Sequence, residues 1–155
     1  MSLSPKQFDQ VDQDILSLLH IDGRMTNKDI AAKLEVSEGT IRNRIKKLTE
    51  SGAVKIAGLV NPDFFPDRNL VQLGVTVAAS RELNTVAGKI AALPNVTSVY
   101  IITGKTDILI EAFVDSKFGV IEFIDDQLST IDGVVSTETH VVIKHYNKWL
   151  DLDIS

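Results

Sequence analysis

Apolar residues return at helical spacing three times within the first fifty positions. Val11, Ile15, Leu18 and Leu19 fall at i, i+4, i+7 and i+8, one stripe of a helix that starts near Phe8 or Asp9. "DGR" at 22–24 ends it. Thr26, with Asp29 three residues on, reads as the capped start of a second helix, whose short apolar face is Ile30, Ala31 and Leu34. After the tight turn "LEVS", Ser37 caps a third helix and Glu38 sits in its first turn, where a carboxylate suits the helix dipole. Ile41, Ile45 and Leu48 form its apolar stripe, and "ESG" stops it, Gly52 being a natural residue just past a helix end. The period then drops to two. "AVKIAGLVN" alternates and is β-branched, which predicts a strand pair or wing. Residues 1–60 are therefore expected to form a winged helix-turn-helix.

"NPDFFPDRN", with two prolines and several turn formers, reads as a linker over 61–70. From 71 to 155 strand and helix patterns alternate. "VQLGVTVAA" is a strand, "LNTVAGKIAAL" a helix, and "VTSVYIITG" and "DILIEAFV" two strands joined across "KT". "FGVIEFIDDQLSTI" follows as a helix and "VVSTETHVVIKHY" as a long last strand. The order βαββαβ predicts a ferredoxin-like sandwich, giving an α+β chain of two domains. A weak repeat supports it: "AALPNVTSV" and "STIDGVVST" both run from a helix end through a turn pair into a strand. Alternation places Ile108, Ile110, Ala112 and Val114 on one face, and Leu109, Glu111 and Phe113 on the other. Val99 and Ile101 likewise oppose Val96, Tyr100 and Ile102. Two helices cover only one face of four strands. The second face is expected to be an apolar patch closed by self-association, and a two-fold dimer would present two third helices to a pseudo-palindromic site.

The polar side of the third helix carries the chemistry. At about 100° per residue, the side opposite the Ile41–Ile45–Leu48 stripe holds Gly39, Asn43, Lys46 and Lys47, with Thr40 and Arg42 on the shoulders. Small and hydrogen-bonding residues come early and lysines late. That order suits a helix whose first turns approach base edges while later cations meet phosphates. The candidate DNA-reading set is Ser37, Glu38, Gly39, Thr40, Arg42, Asn43, Lys46 and Lys47. Arg44 lies nearer the core edge, where bracing the domain is an equal role.

The net charge of −5 opposes a nucleic-acid partner until the chain is divided. Residues 1–60 hold nine Lys+Arg against eight Asp+Glu, a balance of +1; residues 61–155 hold seven against thirteen, a balance of −6. The acidity belongs to the second half, and phosphate attraction acts over roughly 8–10 Å, so the local patch decides. Absence of cysteine removes disulfides and thiolate sites and fits a reducing, cytoplasmic setting. No apolar run approaches the roughly 18 residues of a membrane span, and "MSLSPKQF" shows no secretory signal. His140 and His145 lie five apart on the expected last strand and face opposite ways, which argues against a shared metal. There is no phosphate-cradling glycine loop, nucleophile elbow or HExxH, and Asp125–Asp126 diverge by about 100° on a helix. No enzyme, resident cofactor or metal site is expected.

"VDQDILSLLHIDGRMTNKDIAAKLEVSEGTIRNRIKKLTESGAV" resembles the DNA-binding half of the Lrp/AsnC (feast/famine) regulators. "LPNVTSVYIITGKTDILIEAFV" and "IDGVVSTETHVVI" resemble their effector-binding half. Together the match runs from about Phe8 to Tyr146. One departure is Glu35, where such proteins often have glycine, and it bears on the shape of the helix–helix turn. The resemblance implies double-stranded DNA as partner and assembly into dimers, tetramers or octamers. It also implies a small effector, mostly an amino acid, bound between subunits at the sheet loops. On this chain that site would centre on "YIITGKTD". Backbone near Gly104 would hold a carboxylate and Asp107 or adjacent carbonyls an ammonium, with Tyr100, Ile102, Thr103, Thr137 and Thr139 as walls. Read from its residues alone, "TGKTD" is a hairpin turn. Two other readings stay open: a DNA-binding protein without an effector, and a sirohaem-decarboxylase-like enzyme on the same fold, against which the basic, capped third helix argues.

Overall fold

The computed structural model describes residues 8–115 and 117–152, and the chain divides into two compact units, Met1–Ala57 and Gly58–Ser155. In the first, each helix starts where a polar side chain replaces a missing backbone partner. Asp9 caps α1 (Gln10–Ile21) in a reciprocal capping box with Asp12. Thr26 caps α2 (Asn27–Leu34), its hydroxyl accepting from the Asp29 amide at 3.2 Å. Ser37 caps α3 (Glu38–Glu50), its Oγ accepting from the Thr40 amide at 3.1 Å. The departure at Glu35 resolves simply: this residue adopts the left-handed conformation itself, φ 54°, ψ 40°, so the turn keeps its shape under strain. Ile15, Ile30, Ala31 and Ile41 are buried where the three stripes meet, with Val11, Leu18, Leu34 and Ile45 packed around them. At about 1.5–3 kcal/mol for each large side chain, so small a core has no redundancy.

The expected wing is absent. Residues 54–59 form no strand, and the one β-bridge described near them is Val60 to Leu150, isolated and antiparallel. An alternating segment becomes a strand only against another, and among the described residues no strand pairs with 54–59. The expected linker also differs: its residues belong to the second unit. Pro62–Phe64 makes a 3-10 turn capped by Asn61, and residues 68–70 already lie in the first strand.

That unit runs β1 (Arg68–Val77), α4 (Leu83–Ala91), β2 (Val96–Ile101), β3 (Ile108–Asp115), α5 (Gly119–Glu122), β4 (Val134–Val141). α5 continues directly into a π-helical stretch, Phe123–Leu128. The strands form one antiparallel sheet in the order β2-β3-β1-β4, the ferredoxin-like arrangement. The repeat has a backbone counterpart, for Asn95 (φ 68°) and Gly133 (φ 99°) each turn through positive φ just before β2 and β4. The helices cover the face carrying Val71, Leu73, Val75, Ile108 and Ile110, where Val86, Ile90, Phe123 and Leu128 complete the core.

The second face is not the bare apolar patch expected. At one end Leu70 and Phe113 are buried under Leu150, with Phe65, Val142 and Leu152 beside them. At the centre Glu111 is buried, accepting from Lys148 Nζ at 2.6 Å and from Gln72 Nε2 at 3.3 Å. The C-terminal segment after β4 thus folds back over the sheet. A register shift between Val96 and Ser98 corrects another expectation: the bulge turns Val96 to the helix-covered face together with Val99. β4 ends at Val141, so His145 is not on that strand. It follows β4, with Nε2 3.0 Å from Asp63 Oδ1.

Candidate DNA-reading face and effector loop

α3 turns its polar side outward. Ser37, Glu38, Gly39, Thr40, Arg42, Asn43, Lys46 and Lys47 are all exposed, while Ile41 is completely buried. Burial of Ile41 sets which side faces outward, because on a helix a residue five or six positions from a buried one points away from it. The exposed set is not uniform. Ser37 and Thr40 join hydroxyls at 2.8 Å within the cap. Arg42 is paired with Glu38, and Lys46 lies 3.7 Å from Glu50, both one turn along the same helix. Such exposed pairs are worth only about 0.3–0.5 kcal/mol and yield readily to a phosphate. Asn43 and Lys47 have no polar partner among the described residues, so their amide and ammonium groups need not break a bond to meet a ligand. Arg44 is the exception on this helix. It braces: Nη1 donates to Asp9 Oδ2 at 2.6 Å and to Asp12 Oδ1 at 2.8 Å. The signal for it was present in the sequence, an Asp-x-x-Asp pair at the start of the first helix and an arginine near the core edge of the third.

The loop between β2 and β3 gathers fewer of its expected residues. Thr103 and Gly104 are exposed, and Gly104 stands at φ 144°, a conformation that favours glycine, with open space where a Cβ would project. Tyr100 projects from β2 on the face away from the helices, paired with Leu109. Ile102 continues the ladder, its amide donating to the Asp107 carbonyl at 2.9 Å. Asp107 is engaged rather than waiting: its Oδ2 accepts from the Val77 amide at 2.8 Å. On β4, Thr137 and Thr139 pair with Val75 and Leu73 of β1, hence on the helix-covered side and at the other edge of the sheet. Within one chain they do not join Tyr100. What does reach the loop from β4 was not foreseen. Lys105 Nζ donates to Glu138 Oε2 at 2.9 Å, and Thr106 packs over Gly74 so closely that a Cβ there would lie 2.9 Å from it. The Lys105 ammonium holds the Glu138 carboxyl below the ordinary carboxylate range. With 33 residues between them, no sequence periodicity announces that pair.

Among the described residues no three His, Asp or Glu side chains gather to hold a metal, and no helix is long and apolar enough to cross a membrane. Asp125 and Asp126 are both exposed.

A three-helix unit with an outward, cation-bearing third helix, followed by a ferredoxin-like domain, is the make-up of a two-domain DNA-binding regulator. Comparison with known proteins agrees. Residues 8–49 match the AsnC-type helix-turn-helix domain and residues 70–148 the Lrp/AsnC ligand binding domain, so the chain belongs to the Lrp/AsnC family of transcriptional regulators. An uncharacterized HTH-type transcriptional regulator of Pyrococcus abyssi is 34% identical over 144 residues, spanning 92% of this chain and 90% of that one. The structure of Escherichia coli AsnC superposes with a TM-score of 0.71 at 26% identity, covering 90% of this chain and 94% of the other. A transcriptional regulator of Neisseria meningitidis, solved as its complex with L-Met, gives 0.72 at 25% identity, covering 96% and 97%.

Proposed function

We propose that this regulator reads a pseudo-palindromic duplex as a dimer or higher oligomer through paired α3 helices, and that a small amino acid adjusts its DNA affinity. The observation that carries the reading is the outward face of α3, where Asn43 and Lys47 stand exposed with no intrachain polar partner described. An asparagine amide matches the paired donor and acceptor of adenine in the major groove, and a lysine supplies phosphate charge. Ser37 and Glu38 at the helix start, Gly39 and Thr40 beside them, and Arg42 and Lys46 on the flanks complete the contact surface.

Self-association is supported by side chains that one chain leaves in water. Ile143 is 98% exposed and Tyr146 78% exposed on the segment after β4, and Tyr100 is half-exposed on β2. The effector is supported by the description of the matching domain as ligand binding and by the L-Met complex of the Neisseria relative. On this chain the loop around Thr103 and Gly104 offers open backbone for a carboxylate, with Tyr100 and Ile102 alongside. Asp107 would receive an ammonium through Oδ1, since Oδ2 is engaged. Thr137 and Thr139 would take part only if supplied by a second copy of the chain. An effector shifts DNA affinity only through different affinities for two arrangements, typically about 1–3 kcal/mol of coupling.

Selection of bound duplexes from random oligonucleotides, with and without each of the twenty amino acids, tests both parts. Recovery of one two-fold-related sequence is the expected result. No enrichment overturns the DNA reading, and enrichment indifferent to every amino acid overturns the effector.

A further inference from the structure

Arg44 sits where the middle of α3 meets the start of α1. Its two partners are not loose surface acids but the members of the α1 capping box. Asp9 Oδ1 accepts from the Asp12 amide at 2.9 Å while Oδ2 takes Arg44; Asp12 Oδ2 accepts from the Asp9 amide at 3.4 Å while Oδ1 takes Arg44. Each carboxylate therefore gives one oxygen to the first turn of α1 and the other to α3. The bridge is partly withdrawn from water, with side-chain exposures of 30% for Arg44 and 16% for Asp12. The Arg44 hydrogen bond holds the Asp9 carboxyl below its ordinary value. A cleft of about 500 Å³ runs alongside, with Asp9 and Asp12 on one wall and Asn43, Arg44 and Lys47 on the other.

Apolar packing alone leaves α3 underdetermined. Ile41 is its one fully buried side chain, and Ile45 and Leu48 are only partly covered. A helix seated on a single buried knob retains freedom to roll, and a roll of even a fraction of a turn moves Asn43 and Lys47 relative to a duplex. Charge-assisted hydrogen bonds are directional, so a guanidinium held by two carboxylates removes that freedom.

We propose that Arg44 is a positioning residue: its bridge to the capping box of α1 fixes the roll of α3, and so the register of Asn43 and Lys47 on DNA, without touching the duplex itself. The inference rests on α3 reading DNA. The three charged groups sum to −1, so the arginine brings no free cation to a phosphate. An approaching backbone meets Asp9 as well, which is half-exposed.

The test is a charge-balanced pair of substitutions in the intact protein. Asp12→Asn with Arg44→Gln breaks the bridge and keeps the cluster at −1. Asp9→Asn with Arg44→Gln does the same through the other arm and keeps an asparagine cap, as good a helix start as aspartate. Far-UV dichroism and thermal unfolding identify which of the two is folded, and titrations use the duplex selected by the wild type and a random duplex over a range of salt. Binding to random duplex within about twofold of wild type, with the same salt slope, is expected. Preference for the selected duplex falls about tenfold, within the range one base contact carries. A salt slope reduced by about 0.9, with equal loss on both duplexes, places Arg44 on a phosphate and overturns the proposal. Unchanged preference and slope overturn it too. Both leave the DNA reading intact, whereas a wild type that selects no duplex removes that reading and this one together.

Discussion

α3 and the loop at 102–107 carry the two halves of the proposed function, and they differ in how much of their geometry is local. Which side of α3 faces outward follows from the spacing of Ile41, Ile45 and Leu48, and every residue expected on that side is exposed there. The loop is shaped from afar, by Lys105 on Glu138, Thr106 on Gly74, and Asp107 on the Val77 amide. A helix face can be completed within one chain by the thirteen residues of the helix itself. A loop site depends on which strands the fold sets side by side, and here Tyr100 and the two threonines of β4 lie at opposite edges of the sheet. The lesson is that the proposed DNA contact needs only a single recognition element, whereas the proposed effector site would need the assembled sheet.

The comparison breaks most sharply at Ile41. Ile41→Ala removes the sole fully buried side chain of α3 and is expected to cost about 2–5 kcal/mol, read by urea unfolding, with loss of duplex binding. The large core of the second unit, with thirteen buried residues, should keep its sheet. Next come Asn43 and Lys47, which have no polar partner among the described residues. Asn43→Ala should cut discrimination between selected and mismatched duplexes by about 1–3 kcal/mol. Lys47→Ala should weaken all sequences alike and lower the salt slope by about 0.9; both are measured by fluorescence anisotropy across salt. Smaller still, Glu35→Gly relieves a left-handed backbone and should stabilise the first unit by about 1 kcal/mol, visible as a raised melting temperature. Least is expected of Glu138→Gln near neutral pH, because exposed pairs contribute little. Glu138 has a depressed carboxyl, so any stability its pair contributes is present above its unfolded value and lost as pH falls through the folded one. The melting curves of wild type and variant should therefore converge only in acid, below the ordinary carboxylate value of 4.5.

Two helix starts were plainly legible in the sequence, because a capping side chain and its amide are three residues apart: Thr26 and Ser37 cap where expected, whereas for the first helix only a start near Phe8 or Asp9 was read and the Asp9 cap was not. The paired turns at Asn95 and Gly133 were legible for the same reason. The wing was misread because alternation in "AVKIAGLVN" states what a segment prefers and not whether a partner strand is near. Val96 was placed on the wrong face because one bulged residue inverts everything before it. The covering of the sheet by Lys148 and Leu150 was hidden as well, since those residues contact Glu111 and Phe113 nearly forty positions away. Arg44 stood between, its bracing role one of two open readings until the distances to Asp9 and Asp12 decided it.

The most direct measurement of the central claim is the binding of the intact protein to duplexes selected from a random pool at low salt, compared with Asn43→Ala. Selective wild-type binding, with the alanine variant retaining affinity for random duplex but losing preference at one adenine of each half-site, is the predicted result. A wild type that ignores duplex DNA in dilute buffer, or an alanine variant with identical preferences at every position, would contradict it.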